Sequence, residues 1–249
     1  MIVRSSVDTQ LGSQQRVEYQ VCQPLNIFDS PKLTTLATQA WPSRYLQVYI
    51  HDQTNPTSLD AFPACLCEDN YPGWIDPQVL TSLEPVLHPY QSPCLRQDQI
   101  ELRLPQVIAF SHEAMAQPNR YLWGGTLGPD FDCSGLVQRA FAEQGIWLPR
   151  DAYQQEAFCQ PLGSLDQDIE SFLALLQPGD LIFFGPMDKA NHVALYLGEG
   201  LYIHSSGKDQ GRNGIGIDRL TALGDEVSST YYNQIRGAGR VVSSFSSCS

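Results

Sequence analysis

The chain has 249 residues, 42% of them apolar and 17% charged, with 27 acidic against 15 basic side chains and a formal net charge of −12. That length and apolar share suit one large core or two smaller ones and exclude bulk disorder. The acidic balance argues against nucleic-acid partners and against adhesion to anionic membranes, and no stretch approaches a membrane span.

Residues 1–16, MIVRSSVDTQLGSQQR, carry neither an apolar core nor a cleavage-site pattern of an export signal. They predict a flexible N-terminus on a cytoplasmic protein. From 17 to 93 the runs VEYQVC, RYLQVYI and ACLCE are β-type segments broken by Pro, Asn and Asp, which predicts a small all-β barrel or sandwich. Within it, EDNYPGWI reads as a tight exposed turn before Trp74, set by Pro72 and Gly73, with Tyr71 beside the polar Glu68, Asp69 and Asn70. The prolines and missing period of LHPYQSPCLRQ (87–97) predict that a linker falls in this region, with bounds set at 94–104.

Residues 105–242 change character. LPQVIAFSHEAMAQ has helical spacing, CSGLVQRAFAEQG has it again and stops at Gly145, and SFLALL is a short third candidate. Then GDLIFFG, HVALYLG and LYIHSSG follow as three strands with glycine-rich turns. Helices first and an antiparallel meander after them predict an α+β domain. The tail from 243 to 249, SSFSSCS, reads as disordered.

The seven cysteines are odd in number and irregularly spaced, which suits a reducing compartment rather than a disulfide framework. Cys65 and Cys67 are the one close pair and read as packing residues on one strand face. No four-ligand zinc set completes around them, so neither a metal nor another cofactor is expected. Cys133 differs, because it opens a helix, where free N–H groups and the dipole favour an anion and lower a thiol's pKa. Gly124 and Gly125 upstream allow the close backbone approach that such a site needs.

A cysteine nucleophile needs a base, and the base needs an orienting group. Of five histidines, His51 and His88 lie in the β half and its linker, and His112 sits mid-helix as a solvated or partly packed ring. His192 and His204 each stand on a meander strand. His192 shares a face with residues 194 and 196, away from the greasier side of Val193, Leu195 and Leu197. A three-residue loop, Gly198-Glu199-Gly200, sets Ala194 opposite His204 and makes the two histidines diagonal neighbours on one face.

The ordered series YLWGG (121–125), FDCSGLV (131–137), LPRDA (148–152), PGDLIFF (178–184), HVALYLG (192–198) and YIHSSG (202–207) resembles the NlpC/p60-type cysteine peptidases of bacterial cell-wall metabolism. The resemblance implies a papain-like α+β domain with Cys133 as nucleophile, His192 as general base and His204 as the residue orienting it. It also implies Tyr121 near the nucleophile as an oxyanion donor. Asp132 and Ser134 would line the substrate side, the carboxylate suited to an ammonium group, and Asp151 and Ser205 would join them in substrate binding. Ala152 stands where many relatives carry serine. CLCEDNYPGWI (65–75) resembles a bacterial SH3-like barrel, with Tyr71 as a substrate-binding candidate.

Together these features resemble cytosolic enzymes that cut the γ-D-glutamyl-diamino acid bond of released murein peptides. The expected partner is a small murein peptide such as L-Ala-γ-D-Glu-diaminopimelate with a free N-terminus. The oligomeric state is left open. An amidase or acyltransferase using the same Cys/His machinery is the alternative, and a non-catalytic wall-binding protein is the third reading.

Overall fold

A computed structural model describes residues 15–50, 60–163 and 169–246. Residues 1–14 of the expected flexible segment, residues 247–249 of the expected tail, and His51 and Cys248 lie outside the described residues. The chain divides into two units, the first reaching to Ser92 and the second running from Pro93 to Phe245.

The described residues of the first unit form a seven-stranded antiparallel sheet. Its strands are β1 (Gln15–Val21), β2 (Leu25–Phe28), β3 (Leu36–Ala40), β4 (Tyr45–Ile50), β5 (Phe62–Leu66), β6 (Tyr71–Ile75) and β7 (Leu83–Pro85), in the order β3-β2-β6-β5-β4-β1-β7. Alternate residues of β5, namely Phe62, Ala64 and Leu66, enter a core with Leu46, Val48 and Ile75, as period-two patterning requires. Cys65 is half-buried on the other face, and Cys67, just past the strand end, is buried.

Two expectations for this unit are corrected. Pro72 and Gly73 do not make a turn; they lie inside β6, paired with Cys65 and Ala64, and the turn is Cys67–Asn70 instead. Asn70, at φ 53°, supplies the left-handed residue that the turn needs. The acidic pair beside Tyr71 is not a polar surface either. Glu68 and Asp69 are buried against the Arg44 guanidinium, at 3.1 Å each, and Asp69 also accepts from the Tyr71 backbone N–H at 3.2 Å. Buried charges demand such pairing, so these carboxylates hold the turn together.

In the second unit the expected linker, 94–104, instead carries α1 (Gln97–Glu101) and the start of α2 (Leu104–Ala116). Ile100 is fully buried in the core of this unit, and the Arg103 guanidinium donates to the Gln144 carbonyl at 2.6 Å, which docks the segment. The chain continues through α3 (Cys133–Ala142), α4 (Ala152–Phe158), β8 (Gln160–Leu162) and α5 (Ile169–Leu175). It then runs through β9 (Leu181–Phe184), β10 (His192–Gly198), β11 (Leu201–Ser206), β12 (Gly214–Arg219), α6 (Glu226–Tyr232) and β13 (Ile235–Arg240). The sheet order is β12-β11-β10-β9-β13-β8. The meander therefore has strands on both sides of the three that the sequence predicts.

This sheet is buried on both faces. Val193, Leu195 and Ile203 pack on one side against Cys133, Leu136, Val137 and Phe141 of α3. Ala194, Tyr196 and Tyr202 pack on the other against Phe172 of α5 and Val227 and Tyr231 of α6. The parity expected for His192 holds, but the side it faces is a second apolar layer rather than a polar one. Among the described residues, no helix is long and apolar enough to cross a membrane.

Candidate active site

α3 begins at Cys133 because Asp132 caps it, its side chain accepting from the Gly135 N–H at 2.6 Å. Gly135 is required by close approach. A Cβ there would lie 2.1 Å from the Gly125 carbonyl oxygen, so the helix start is pressed onto the glycine loop, as the sequence predicts for that pair. The loop is fixed by a parallel bridge between Tyr121 and Phe131 and by the Gly124 N–H, which donates to Asp132 Oδ2 at 2.8 Å.

Asp132 was expected to offer a carboxylate to substrate, and here the structure differs. Both oxygens are occupied: Arg150 grips them at 3.1 and 2.6 Å, in addition to the two backbone N–H groups. A substrate ammonium would have to compete with a buried bidentate guanidinium. Ser134 is likewise engaged, its hydroxyl accepting from Arg150 at 2.9 Å. Ser205 is fully buried and donates to the Phe131 carbonyl at 2.6 Å, tying β11 to the residues before Cys133. Asp151 caps α4, its own N–H donating to the Gln154 side chain at 3.0 Å. These three side chains join the loop before Cys133, α3 and β11 into one frame, and Asp151 ends the loop that carries Arg150.

Cys133 sits against the start of β10, with the backbone N–H groups of Val193 and Ser134 directed at its sulfur. Those N–H groups favour a thiolate, as the sequence argument anticipates, but burial outweighs them. Burial, followed by the Asp132 charge, pushes the Cys133 thiol up to about 12. Burial also holds His192 well below its ordinary value, with His204 adding to the shift. Both shifts favour the neutral forms, a thiol at Cys133 and an uncharged imidazole at His192, where the helix start predicts a thiolate.

The histidines meet. His192 Nε2 lies 2.7 Å from His204 Nδ1, the rings being edge-to-face with centroids 4.9 Å apart. The route to this pairing differs in detail from the expected hairpin. Glu199 (φ 53°) and Gly200 (φ 76°) make a two-residue turn closed by Gly198 and Leu201, and a bulge between Tyr196 and Gly198 restores the register. Leu195 then pairs with Ile203, which sets Ala194 opposite His204 as the three-residue loop would.

Four further residues complete the arrangement, and sequence reading did not single them out. Asp218, on β12, accepts from His204 Nε2 at 2.7 Å and is held from its other side by Arg212 at 2.6 Å. Tyr231, from α6, stacks on the His192 ring with centroids 4.4 Å apart and an interplanar angle of 28°, its hydroxyl 2.7 Å from that of Ser206. Asp218 had a signal: in GIGID, alternation sends residues 216 and 218 to one face, and pairing of β12 with β11 puts that face beside His204. Tyr121 is half-buried within electrostatic reach of Cys133, and burial raises its pKa, so it remains an O–H donor. Tyr71 belongs to the first unit, half-buried at the start of β6. His112 is exposed on α2, and His88 is exposed as well.

The description "NlpC/P60 family" matches residues 118–235 of this chain. The chain is 40% identical over 88 residues to the gamma-D-glutamyl-L-lysine dipeptidyl-peptidase of Bacillus cereus, a stretch covering 34% of this chain and 24% of that protein. It is 31% identical over 171 residues to dipeptidyl-peptidase 6 of Lysinibacillus sphaericus, covering 68% of this chain and 51% of that protein. A crystal structure of an NlpC/P60 family protein from Bacillus cereus superposes at 24% identity and TM-score 0.43, covering 91% of this chain and 64% of that one. The chain thus spans from 24% to about half, 51%, of the length of these two curated relatives. Cys133, His192, His204 and Asp218 all fall within the matched segment, and residues 118–235 form an NlpC/P60 family domain.

Proposed function

We propose that the chain is a cysteine peptidase that hydrolyses the γ-D-glutamyl-diamino acid bond of small murein peptides. The observation that carries the reading is a thiol at a helix start, set against the Val193 N–H of the strand that opens with His192, and a His192 ring whose Nε2 is engaged by a second imidazole at 2.7 Å. With Nε2 engaged, Nδ1 of His192 is the ring nitrogen left for the thiol proton. The relative named a gamma-D-glutamyl-L-lysine dipeptidyl-peptidase supports the choice of bond.

In this reading Cys133 Sγ attacks the γ-carbonyl carbon of D-glutamate as His192 Nδ1 accepts the thiol proton. Both groups start neutral, so proton transfer accompanies attack. The N–H groups of Val193 and Ser134 stabilise charge on sulfur, and the Tyr121 hydroxyl donates to the developing oxyanion. The tetrahedral intermediate collapses to a thioester, and the proton on His192 passes to the departing amine of the diamino acid. Water, deprotonated by the same Nδ1, then cleaves the thioester and regenerates the thiol.

The first unit is read as an SH3-like barrel whose Tyr71 helps select peptides with a free N-terminus, in a cytoplasmic enzyme acting on released stems. Motivating this is the half-buried tyrosine fixed at the start of β6 by Asp69. Incubation of the full chain with L-Ala-γ-D-Glu-diaminopimelate should release L-Ala-D-Glu and free diaminopimelate, identified by mass. N-acetylation of the peptide should cost far more activity than a change of diamino acid, and Tyr71→Ala should narrow that gap. An intact tripeptide after prolonged incubation would contradict the reading.

A further inference from the structure

Beyond the two histidines, the hydrogen-bonded line continues through Asp218 to Arg212, and this continuation decides which ring nitrogens carry protons. The Asp218 carboxylate is an acceptor, bracketed by Arg212 Nη2 at 2.6 and 2.7 Å from its two oxygens. His204 Nε2, 2.7 Å from Oδ2, must therefore carry a hydrogen. In a neutral ring that leaves Nδ1 of His204 bare. The bare nitrogen faces His192 Nε2 at 2.7 Å, so the hydrogen between the rings belongs to His192 Nε2. His192 Nδ1 is then the unprotonated atom.

We infer that Asp218, clamped by Arg212, is a positioning residue that fixes the tautomers of His204 and His192 and so presents Nδ1 of His192 as the base for Cys133. The inference rests on the proposed chemistry of Cys133 but not on which peptide is cut.

The geometry around Arg212 fits this role. A Cβ on Gly216 would lie 2.1 Å from Arg212 Nη1 and 2.4 Å from its Cζ, so the guanidinium crosses β12 over a residue that has no side chain. Gly216 pairs with His204 in the β11–β12 register, which lays the guanidinium over the strand position facing that ring. Both Asp218 and His204 are buried, at 5% and 0% exposure, so water does not compete for these bonds. An ion pair merely stabilising two strands would not need to end on an imidazole.

Asp218→Asn is the informative change. Arg212 would keep the amide oxygen on its own side, turning the NH₂ toward His204. An NH₂ there donates to Nε2, which moves the His204 hydrogen to Nδ1 and makes His192 Nε2 the acceptor. The His192 hydrogen then sits on Nδ1 and blocks the base.

The test uses the full chain with isotope-labelled histidine and nitrogen NMR of the rings, which needs no substrate, beside steady-state kinetics on the tripeptide. In the unaltered protein Nε2 of both His192 and His204 should be protonated and Nδ1 of both bare. D218N should reverse both assignments and lower kcat by roughly 10- to 100-fold, with KM moving less than about 3-fold. R212A, which keeps the carboxylate, and G216A, which crowds the guanidinium off it, should leave the tautomers in place and lower kcat less. If D218N does not fold, the ring assignments of the unaltered protein decide. A proton on Nδ1 of either ring there, or D218N with unchanged tautomers and kcat, would overturn the inference. Ring assignments that behave as stated while the tripeptide stays intact would uphold it and reject the substrate instead.

Discussion

His192 and His204 share a 2.7 Å hydrogen bond between Nε2 of the first ring and Nδ1 of the second, in a layer closed by the stacked Tyr231. In the proposed mechanism that bond orders the two histidines by role, the first to move the proton and the second to hold it. His192→Ala should therefore lower kcat by about 10²- to 10⁴-fold, the usual worth of a general base. His204→Ala should cost less, roughly 10- to 100-fold. Cys133→Ala should abolish hydrolysis. Equal losses at the two histidines would contradict this division.

The pH dependence of kcat/KM separates a neutral thiol and imidazole from a preformed ion pair. Burial holds His192 well below its ordinary value near 6.5 and pushes Cys133 up to about 12. Activity should rise as the pH climbs through the lowered His192 value and then stay level between about pH 7 and 9. A thiolate-imidazolium pair would instead lose activity in that range as the imidazolium deprotonates. A descending limb near pH 8 would show that the ion pair forms in the free enzyme.

Stability should depend on the same rings. His192 and His204 both have folded values below their unfolded ones, because burial disfavours their charged forms. Their contribution is fully present above about pH 6.5 and is lost as the pH falls from there toward the folded values. Each ring should add roughly 1 kcal/mol per pH unit to the acid loss in that window. Denaturant titrations at several pH values should show a shallower acid loss for His192→Gln than for the unaltered chain. Identical slopes would mean that His192 is protonated in the folded protein.

Much of this site was legible in the sequence. The helix start at Cys133 and the parity of His192 and His204 follow from local patterns that tertiary structure only refines, since even the unforeseen bulge near Gly198 preserves the register. What escaped was the destination of the charged groups. Asp132 looked free because its partner Arg150 is 18 residues away in sequence, and Glu68 looked exposed because Arg44 is 24 residues back. Hydrophobic period locates strands and helices, but it does not say which buried charge meets which. Asp218 was missed for the same reason, lying one strand beyond the motifs that drew attention.

The Asp132–Arg150 pair makes a prediction of its own. Its side chains are 9% and 1% exposed, and its oxygens also cap α3 and hold Gly124. Asp132→Ala would take both carboxylate oxygens from the buried guanidinium and uncap the helix, so unfolding free energy should fall by about 3–5 kcal/mol. Chemical denaturation measures this. A loss below about 1 kcal/mol, with weakened affinity for free-amine peptides, would return Asp132 to the substrate side.

In the proposed mechanism Cys133 carries the γ-glutamyl acyl group during turnover. Rapid acid quenching of the full chain with L-Ala-γ-D-Glu-diaminopimelate, followed by proteolysis and mass spectrometry, tests it directly. An L-Ala-D-Glu acyl adduct should be confined to the peptide containing Cys133 and absent from Cys133→Ala. Release of diaminopimelate with no adduct on Cys133, or with turnover retained in Cys133→Ala, would contradict it.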